Sequence, residues 1–406
     1  MNTQRLEPKV LLLSPQHGIG GSERILLTLA RGLIRRGIAV QTVLAAVPGV
    51  EQTLEWFRQE GVQAEASAAM RPLEAPRTRQ DMASLRRLVR ASSAGVVHLH
   101  YGGNYASFKD VMAVRAAGRK RCILTLHNAS PLTDARQRQA MRLSAWLSHA
   151  VTVPSDALRQ VLVEAGVPAS KVYLVPNGVP VPQAPPSRAE ARSRLGLPPD
   201  AFVLSAVARL IPEKGLAELI EAVARIPDPR HEIRLVLAGE GPAQADLEAQ
   251  ARRQLGDRAC FLGRVLDIGV IYAASDVFAL PSHMESFGLV FIEAALYGVP
   301  SIGTAVGGIP DTVADGKTGL LVPVRAPDAL AEAIRRLRDD PALRRRLGEA
   351  ARARAYEEFS DRRMVERYAQ IYWPHTAQAL LSSGEARMPQ STPADSPPAP
   401  ASAPQE

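Results

Sequence analysis

Two glutamates in the second half of this chain of 406 residues, Glu285 and Glu293, are separated by seven residues. Glu293 lies inside a run of apolar residues that is expected to be helical. A carboxylate is costly to bury in such a setting unless it is paired, and two hydroxyls of a ribose would pair it. The alternative is that Glu293 is exposed to solvent on an amphipathic helix. The pair therefore indicates a nucleotide site that has to be tested against a structure.

The start of the same predicted helix offers a second kind of group. Ser286 is a candidate N-cap, which would leave the backbone amides of Phe287, Gly288 and Leu289 as donors without intrahelical partners. Such amides, together with the helix dipole, bind phosphate or another oxyanion. We therefore predict a phosphate or oxyanion site at these amides, next to Glu285.

A basic pair, Arg209 and Lys214, follows a predicted strand in the second half of the chain. Ligands of open α/β sheets bind beyond the carboxyl ends of the strands. Arginine offers a planar fork of donors and lysine a compact charge, so the pair suits a diphosphate. Two solvated surface charges are the alternative, but lysine is rare here, and Lys214 is one of only six.

A glycine-rich segment, residues 18–23, lies between the first predicted strand and helix and contains Gly20 and Gly21. Glycines at such a turn let backbone amides approach a phosphate. The segment resembles the dinucleotide-binding fingerprint, but Glu23 stands where that fingerprint requires glycine or alanine. A purely structural turn is the alternative.

The elements that would position these residues alternate between short apolar strands and amphipathic helices. Residues 9–14 read as a strand that is apolar throughout, which is typical of a parallel sheet buried on both faces. The alternation stops in the proline-rich residues 180–200 and then restarts. We therefore predict an α/β protein with two doubly wound, Rossmann-like domains that face a central cleft.

The predicted boundaries follow from this break. The first domain covers residues 1–180 and the second covers 181–357, and a predicted helix near 358–375 follows them. Residues 380–406 are rich in proline, serine and alanine and are predicted to be disordered.

Composition excludes several classes of protein. No apolar run reaches the roughly 20 residues that span a bilayer, and no secretory leader is expected. The two cysteines, Cys122 and Cys260, cannot form a disulfide framework, so we expect a cytoplasmic protein. The net charge of +8 comes mostly from arginine, and we do not interpret it as nucleic-acid binding. Residues 71–90 and 115–142 are nevertheless basic, and they either form solvated helix faces or meet an anionic lipid or acceptor.

The spacing of the glutamates and of several flanking motifs resembles the retaining GT-B glycosyltransferases of family 4. The similarity covers residues 9–373. Each motif alone is a weak match, but the order and spacing of all of them make the resemblance specific. They are the E-x7-E pair, Gly20-Gly-Ser-Glu23, Val153-Pro-Ser155, Val175-Pro-Asn-Gly178, Arg209 with Glu213-Lys-Gly215, Ala238-Gly-Glu-Gly-Pro242, Phe261-Leu-Gly263, Ala274-Ser-Asp-Val-Phe278, Gly307-Gly-Ile-Pro-Asp311 and Gly319-Leu-Leu-Val322.

The resemblance implies a nucleotide-sugar donor that is held mainly by the second domain, residues 181–357, and an acceptor that is bound by the first domain, residues 1–180. It also implies that the helix near 358–375 crosses back to the first domain. It assigns Arg209 and Lys214 to the diphosphate and Glu293 to the ribose. It implies catalytic roles for Glu285 and His127 together with that basic pair. The remaining implied donor contacts are Gly20, Gly21, Gly239, Val265, Ser286, Phe287, Gly288 and Leu289.

Two more histidines, His98 and His100, stand on one predicted strand. We expect them to be structural and to face opposite sides of the strand, which would exclude a shared metal ion. The sequence departs from the family pattern at Asn128, where relatives often have aspartate, and at Asp311, where many have glutamate. The first departure leaves the acceptor contacts open.

The expected reaction is metal-independent transfer of a sugar from a UDP- or GDP-sugar to a glycan or lipid-linked acceptor, with retention of configuration and without a cofactor. Peripheral contact with the anionic inner face of the cell membrane, in envelope or exopolysaccharide biosynthesis, is the expected setting. The alternatives are a nucleotide-sugar epimerase on a similar scaffold and a non-catalytic binding protein. A dehydrogenase is disfavoured because the nicotinamide fingerprint is broken at Glu23.

Overall fold

The computed structural model describes residues 9–380 except 17, 19, 104, 129, 230, 231 and 379. His17, which lies near a family motif, and nearly all of the predicted disordered tail fall outside the described residues. The strands are β1 (Lys9–Ser14), β2 (Ala39–Ala45), β3 (Ala64–Ser67), β4 (Val96–Tyr101), β5 (Arg121–Leu126), β6 (Ala150–Val153), β7 (Val172–Leu174), β8 (Phe202–Val207), β9 (Ile233–Ala238), β10 (Ala259–Phe261), β11 (Val277–Leu280), β12 (Ser301–Thr304) and β13 (Gly319–Val322).

The helices surround these strands and for the most part alternate with them along the chain. They are α1 (Gly21–Arg35), α2 (Val50–Gln59), α3 (Arg79–Ala91), α4 (Phe108–Ala116), α5 (Ala135–Leu147), α6 (Asp156–Glu164), α7 (Arg188–Arg194), α8 (Leu216–Arg225), α9 (Gln244–Leu255), α10 (Gly269–Ala274), α11 (Leu289–Leu296), α12 (Ile309–Thr312), α13 (Pro327–Asp339), α14 (Pro341–Glu358) and α15 (Asp361–Tyr372).

Two separate parallel sheets confirm the predicted fold class. The first has the order β3-β2-β1-β4-β5-β6-β7 and the second the order β10-β9-β8-β11-β12-β13. In both sheets the chain starts in the middle and reverses its direction of winding, which creates a crevice beyond the carboxyl ends of the strands. The predicted domain boundaries stay a prediction, and the first sheet ends with β7 before the second begins with β8.

The first sheet is buried on both faces, as its apolar strands predict. Along β1, Leu11 and Leu13 join the core on one face, while Val10 and Leu12 join the core on the other. Helices must therefore cover both faces, and the second of these cores is completed from far along the chain. α15 places Met364, Val365, Tyr368 and Tyr372 in it.

Local sequence signals explain most element ends, and α1 begins at Gly21 directly after its N-cap Gly20, which has no side chain. Two expectations were wrong. The sequence predicts no helix in residues 180–200, but Ser187 and Glu190 form a reciprocal capping box that starts α7. The expected N-cap Ser286 is replaced by Gly288 at a left-handed φ of 86°.

We expect Gly215→Ala to destabilise the protein more than Gly316→Ala. The two glycines have nearly equal φ values of 66° and 67°, so both variants carry the same left-handed strain of about 1 kcal/mol. An added Cβ at Gly215 collides with the carbonyl oxygen of Pro281, whereas one at Gly316 has no neighbour within 4 Å. Urea unfolding of both variants measures the difference, and equal losses of unfolding free energy would contradict the close approach of residues 215 and 281.

Candidate functional site

A pocket of about 430 Å³ lies where the carboxyl ends of the two sheets face each other, and we call it the cleft pocket. Both halves of the chain contribute to its walls, which hold most of the predicted site residues. It is lined by Gly20, Gly21, Ser22, Arg24, Gly102, His127, Asn128, Asn177, Val207, Ala208, Arg209, Lys214, Leu280, Glu285, Ser286, Phe287, Gly288, Leu289, Val290 and Glu293.

Two predicted donor contacts, Gly239 and Val265, lie outside that lining. Gly239 packs directly on the backbone of Ala208, and its amide donates to the carbonyl oxygen of Gly263 at 2.7 Å. Val265 packs beside the apolar core of the second sheet. Both assignments therefore stay predictions that rest on the family resemblance.

Glu293 is nearly buried, and both of its oxygens have partners. Arg24 Nη1 donates to Oε1 at 2.7 Å, and the hydroxyl of Tyr272 donates to Oε2 at 2.9 Å. Burial and the neighbouring carboxylate raise the pKa of Tyr272, so its hydroxyl keeps the proton that it donates. The alternative of a solvent-exposed Glu293 is wrong, because its side chain is only 8% exposed.

Sequence reasoning missed both partners of Glu293. Arg24 belongs to the first half of the chain, 269 residues from Glu293, and it crosses the cleft from the first turn of α1. The sequence signal that could have identified Arg24 is its position directly after the glycine-rich segment, which is predicted to approach a phosphate. Tyr272 comes from α10, a short helix with no charged residue to mark it.

The second glutamate, Glu285, pairs with Lys214. Lys214 Nζ donates to Glu285 Oε2 at 2.6 Å, and each side chain is about one-fifth exposed. Gly307, at a φ of 51°, supports the loop from behind, because an added Cβ there would collide with the carbonyl oxygen of Glu285. The amide of Gly308 donates to that same oxygen at 3.0 Å. The loop that carries Glu285 is thus held by backbone contacts, while its carboxylate meets the cationic side of the pocket.

Arg209 differs from Lys214 in having no ion pair with any residue that the structure describes. Its side chain is exposed, and it makes no hydrogen bond with any residue in the described part of the chain. Its backbone carbonyl accepts from Ile211 at 2.9 Å, which shapes the turn after β8. A cation that lines a pocket without a counter-charge is suited to an anionic ligand.

Backbone amides at the starts of two helices lie beside the charged side chains of the pocket. α11 begins at Leu289, and Leu289 and Val290 of its first turn line the cleft pocket. The amide of Phe291 donates to the carbonyl oxygen of Gly288 at 3.1 Å, so the amides of Leu289 and Val290 are the helix-start donors left for a ligand. Across the cleft, Gly20 and Gly21 stand at the start of α1, where an added Cβ on Gly21 would lie 3.9 Å from Leu289. Two helix starts therefore converge on one small volume, and each favours negative charge.

His127 follows β5 and lines the first-domain side of the pocket. Burial lowers its pKa to about 4, so the imidazole is neutral at physiological pH. His98 and His100 lie behind it on β4 with ring centroids 3.9 Å apart. The expectation that these two face opposite sides of the strand was wrong, because residues two positions apart share a face.

The two departures from the family pattern have identifiable surroundings. Asn128 lines the pocket, and its Oδ1 accepts from the amide of Ser130 at 2.8 Å. The Asp311 carboxylate accepts from the amide of Asp156 at 3.0 Å, and burial raises the pKa of Asp311. His283, which lies near a family motif, pairs with Glu218 at 2.7 Å and is not part of the lining.

No cluster of three or more His, Cys, Asp and Glu side chains with metal-binding geometry occurs among residues 9–380 that the structure describes. In the same part of the chain, no helix combines the length and apolarity that crossing a bilayer requires.

Comparisons with known proteins place this arrangement in a family. Residues 19–182 match the model of Glycosyltransferase Family 4, and residues 187–354 match the model of Glycosyl transferases group 1. A D-inositol 3-phosphate glycosyltransferase of Kribbella flavida is 32% identical over 312 residues, which are 71% of this chain and 70% of that protein. An N-acetyl-alpha-D-glucosaminyl L-malate synthase of Bacillus anthracis is 29% identical over 283 residues, 68% of this chain and 74% of that protein. The chain therefore belongs to glycosyltransferase family 4.

The fold agrees with this assignment. Anabaena Alr3699/HepE, whose crystal structure contains UDP, superposes with a TM-score of 0.77 at 24% identity and covers 89% of this chain and 98% of its own. Several other D-inositol 3-phosphate glycosyltransferases match over only about half of their own length. The molecule is a GT-B glycosyltransferase, and its substrates have to be argued from the cleft pocket.

We expect the free energy of unfolding to fall as the pH is lowered from 6.5 towards 4. The folded-state pKa of His127 is about 4, against 6.5 for an ordinary histidine, so in this window the unfolded chain binds a proton that the folded chain does not. One such proton costs roughly 1 kcal/mol of stability for each pH unit. Urea unfolding at about pH 7 and about pH 5 measures this. The loss of unfolding free energy between the two pH values should be smaller in His127→Asn, because unfolding of that variant takes up close to one proton fewer. An unaltered pH dependence in that variant would contradict a neutral His127.

Proposed function

We propose that the protein transfers a sugar from a UDP- or GDP-sugar to a glycan or lipid-linked acceptor, with retention of configuration and without a metal ion or cofactor. The observation that carries this proposal is the convergence of two cations and two helix starts on the cleft pocket. Arg209 and Lys214 stand on one side, Gly20 and Gly21 stand on the other, and Glu293 closes one end.

The diphosphate is the part of the donor that these groups fit best. Arg209 has no counter-charge of its own in the described structure, and Lys214 has only one carboxylate, so both have capacity for phosphate oxygens. The amides at the start of α11 add donors aimed at the same volume. Together they supply the positive charge that a divalent ion supplies in other transferases, which supports a metal-independent reaction.

The ribose fits Glu293. A carboxylate offers about four acceptor sites, and Arg24 and Tyr272 use one on each oxygen. Two ribose hydroxyls can join or replace Arg24, because the Arg24 side chain is 44% exposed and able to move while Tyr272 is buried. The same carboxylate would thus serve the nucleotide when it is present and the opposite domain when it is absent.

Charge development explains the proposed catalysis. As the bond between the sugar and the diphosphate breaks, negative charge grows on the β-phosphate and positive charge grows on the anomeric carbon. Arg209, Lys214 and the helix-start amides stabilise the first of these charges. The departing phosphate oxygen takes the proton of the acceptor hydroxyl on the same face of the sugar, which would retain the configuration. Glu285 and His127 line the pocket where the sugar would lie.

The first measurement is a thermal-shift panel of UDP, GDP, ADP and CDP, each with and without EDTA. A nucleotide at about 100 times its Kd should add about 2.7 kcal/mol to the free energy of unfolding. We expect UDP or GDP to stabilise the protein equally in both conditions. Loss of the shift with EDTA would contradict metal independence, and no shift with any nucleotide would favour a non-catalytic binding protein.

A matched pair of variants ties the result to the pocket. Arg209→Ala should weaken binding of the preferred nucleotide by about 2 kcal/mol, because a hydrogen bond from a charged donor is lost. Arg264→Ala removes another exposed arginine of the second domain that lies outside the pocket lining, and it should leave binding unchanged. Incubation of the matching nucleotide-sugar without acceptor separates transfer from epimerisation, since only an epimerase would convert the sugar.

The acceptor side is proposed to lie on an anionic membrane, at the inner face of the cell envelope. An apolar groove of about 520 Å³ between α3, α4 and α5 is lined by methionines and rimmed by Arg79, Arg86 and Arg115. Beside it, the Trp146 side chain is 74% exposed. Arg77 does not contribute to this basic surface, because it is buried in an ion pair with Asp110. A basic rim around an apolar groove suits the headgroup and acyl chain of an anionic lipid.

We expect the protein to float with vesicles that contain phosphatidylglycerol at low salt, and not with neutral vesicles. Trp146→Ala should reduce the bound fraction, because the exposed indole is suited to the membrane interface. Leu266→Ala is the control, since Leu266 is 91% exposed but lies in the second domain. Equal binding of both variants, or no binding at low salt, would remove the membrane from the proposed function.

A further inference from the structure

A cavity of about 530 Å³ lies at the edge of the first sheet opposite to the cleft, and we call it the amino-edge pocket. Gly95 precedes β4, Arg121 begins β5 and His149 precedes β6, so the amino ends of three neighbouring strands meet there. The cleft pocket lies beyond the carboxyl ends of the strands, and the proposed sugar transfer does not involve the amino-edge pocket.

The charged side chains around the amino-edge pocket are all of one sign. No acidic residue lines it among those that the structure describes, and none of its arginine and lysine side chains forms an ion pair with a described residue. The carboxyl ends of α4 and α5 lie nearby and carry about half a negative charge each, which does not balance four full positive charges. The basic residues of the lining are Arg115, Arg119, Lys120, Arg121 and His149.

The basic side chains are anchored by backbone oxygens but keep donors for a ligand. Arg115 Nη1 donates to the carbonyl oxygen of Lys120 at 3.3 Å, and Lys120 Nζ donates to that of Ala94 at 2.5 Å. Arg121 Nε donates to the carbonyl oxygen of Ile371 at 2.8 Å. A guanidinium group has five N–H donors and an ammonium group has three, so each of these side chains retains donors that no described residue uses.

His149 adds a donor whose position is fixed by the backbone. The amide of Cys122 donates to His149 Nδ1 at 3.0 Å, and since an amide N–H can only donate, Nδ1 carries no hydrogen. Burial and three neighbouring cations lower the pKa of His149, so the ring is neutral at physiological pH and has its one hydrogen on Nε2. This N–H group has no acceptor among the residues that the structure describes, and the ring lines the pocket.

We propose that the amino-edge pocket binds a phosphate group, carried either by inorganic phosphate or by the phosphomonoester headgroup of a lipid. The pocket offers guanidinium forks, an ammonium group and an imidazole N–H. These donors match a tetrahedral group with three charged terminal oxygens better than a carboxylate with two. A lipid is one of the two sources because Arg115 also lines the apolar groove between α3, α4 and α5, where an acyl chain would continue from the headgroup.

Inorganic phosphate is the probe, and His149 is the reporter, because phosphate can also enter the cleft pocket. In the full-length protein labelled with ¹⁵N-histidine, the ring-nitrogen signals that disappear in His149→Gln identify His149. We expect phosphate to shift the Nε2 signal in a saturable way, and chloride at the same ionic strength to leave it in place. A His149 signal that phosphate does not shift would overturn the proposal.

A matched pair of charge reversals locates the ligand. Arg119 is exposed and its side chain makes no hydrogen bond with a described residue, so Arg119→Glu removes a pocket cation without breaking a contact of the fold. It should weaken phosphate binding at His149 by at least roughly tenfold, because a repulsive charge replaces a charged donor. Arg136→Glu changes the net charge equally at the other end of α5, outside the lining, and should leave the affinity nearly unchanged. Equal weakening by the two variants would overturn the site, because phosphate would then respond only to the net charge of the protein.

Vesicle flotation separates the two sources of the phosphate group. Phosphatidic acid carries a phosphomonoester, whereas phosphatidylglycerol gives an anionic surface with only a diester. If a lipid is the source, more protein should float with vesicles of phosphatidic acid than with phosphatidylglycerol vesicles of equal surface charge. Arg119→Glu should then remove this excess and Arg136→Glu should keep it. If free phosphate is the source, the titration saturates and the excess is absent.

The variant Arg209→Ala keeps this test independent of the proposed function. It should leave the response of His149 to phosphate unchanged, because Arg209 lines the cleft pocket and not the amino-edge pocket. Phosphate binding at His149 in a protein that binds no nucleotide would refute only the proposed sugar transfer. Nucleotide binding without a response of His149 to phosphate would refute only the amino-edge site.

Discussion

Glu293 is a carboxylate in a helix whose other residues are almost all apolar, and its burial costs free energy unless each oxygen finds a donor. One donor, Tyr272, comes from the same domain and is itself buried. The other, Arg24, comes from the opposite domain. The hydrogen bond between Glu293 and Arg24 therefore contributes to the contact between the two domains. It lies at the end of the cleft pocket, where a ligand could replace it. Any ligand hydroxyl that takes the place of Arg24 also changes a contact between the domains.

The rest of the fold brings these two residues together. Parallel strands with the same central reversal place the turns after β1 and β8 at the facing edges of the two sheets. α15 then returns the chain to the first domain, where Val365 packs against α1 near Gly32 and Tyr372 reaches the buried His98. Arg121 fixes the end of this helix by donating to the carbonyl oxygen of Ile371 at 2.8 Å. The same helix thus supports both the interdomain packing and the histidines behind the pocket.

The sequence predicted the strands closely because apolar runs bounded by turn residues are local signals. The ends of β1 coincide with the predicted residues 9–14. The position of the basic pair could also be predicted, because Arg209 and Lys214 follow a strand and the crevice lies beyond the carboxyl ends of the strands. The sequence could not show which residues, distant along the chain, contact each other. Nothing near residue 24 indicates an acid at residue 293, and residue 272 carries no local mark of its role.

The errors have equally physical reasons. Ser286 has the right chemistry for an N-cap, but Gly288 adopts the left-handed conformation that the turn needs, so the helix begins later. The histidines of β4 were assigned to opposite faces, although alternation has a period of two and therefore places residues 98 and 100 together. Burial lowers the pKa of His98, His100 and His127, so the three imidazoles are neutral at physiological pH.

The two walls of the cleft pocket consequently differ in kind. The second domain supplies four charged side chains, Arg209, Lys214, Glu285 and Glu293. The first domain supplies Arg24 and otherwise uncharged groups, among them the neutral His127. A nucleotide diphosphate is charged and a sugar ring is not, so a donor lying across this pocket would meet a matching surface at each end. Pairing at such a surface is strict, because an unmatched buried acceptor loses more free energy than a matched one gains. The neutral His127 and the exchangeable contact on Glu293 would therefore discriminate between ligands at opposite walls of the pocket.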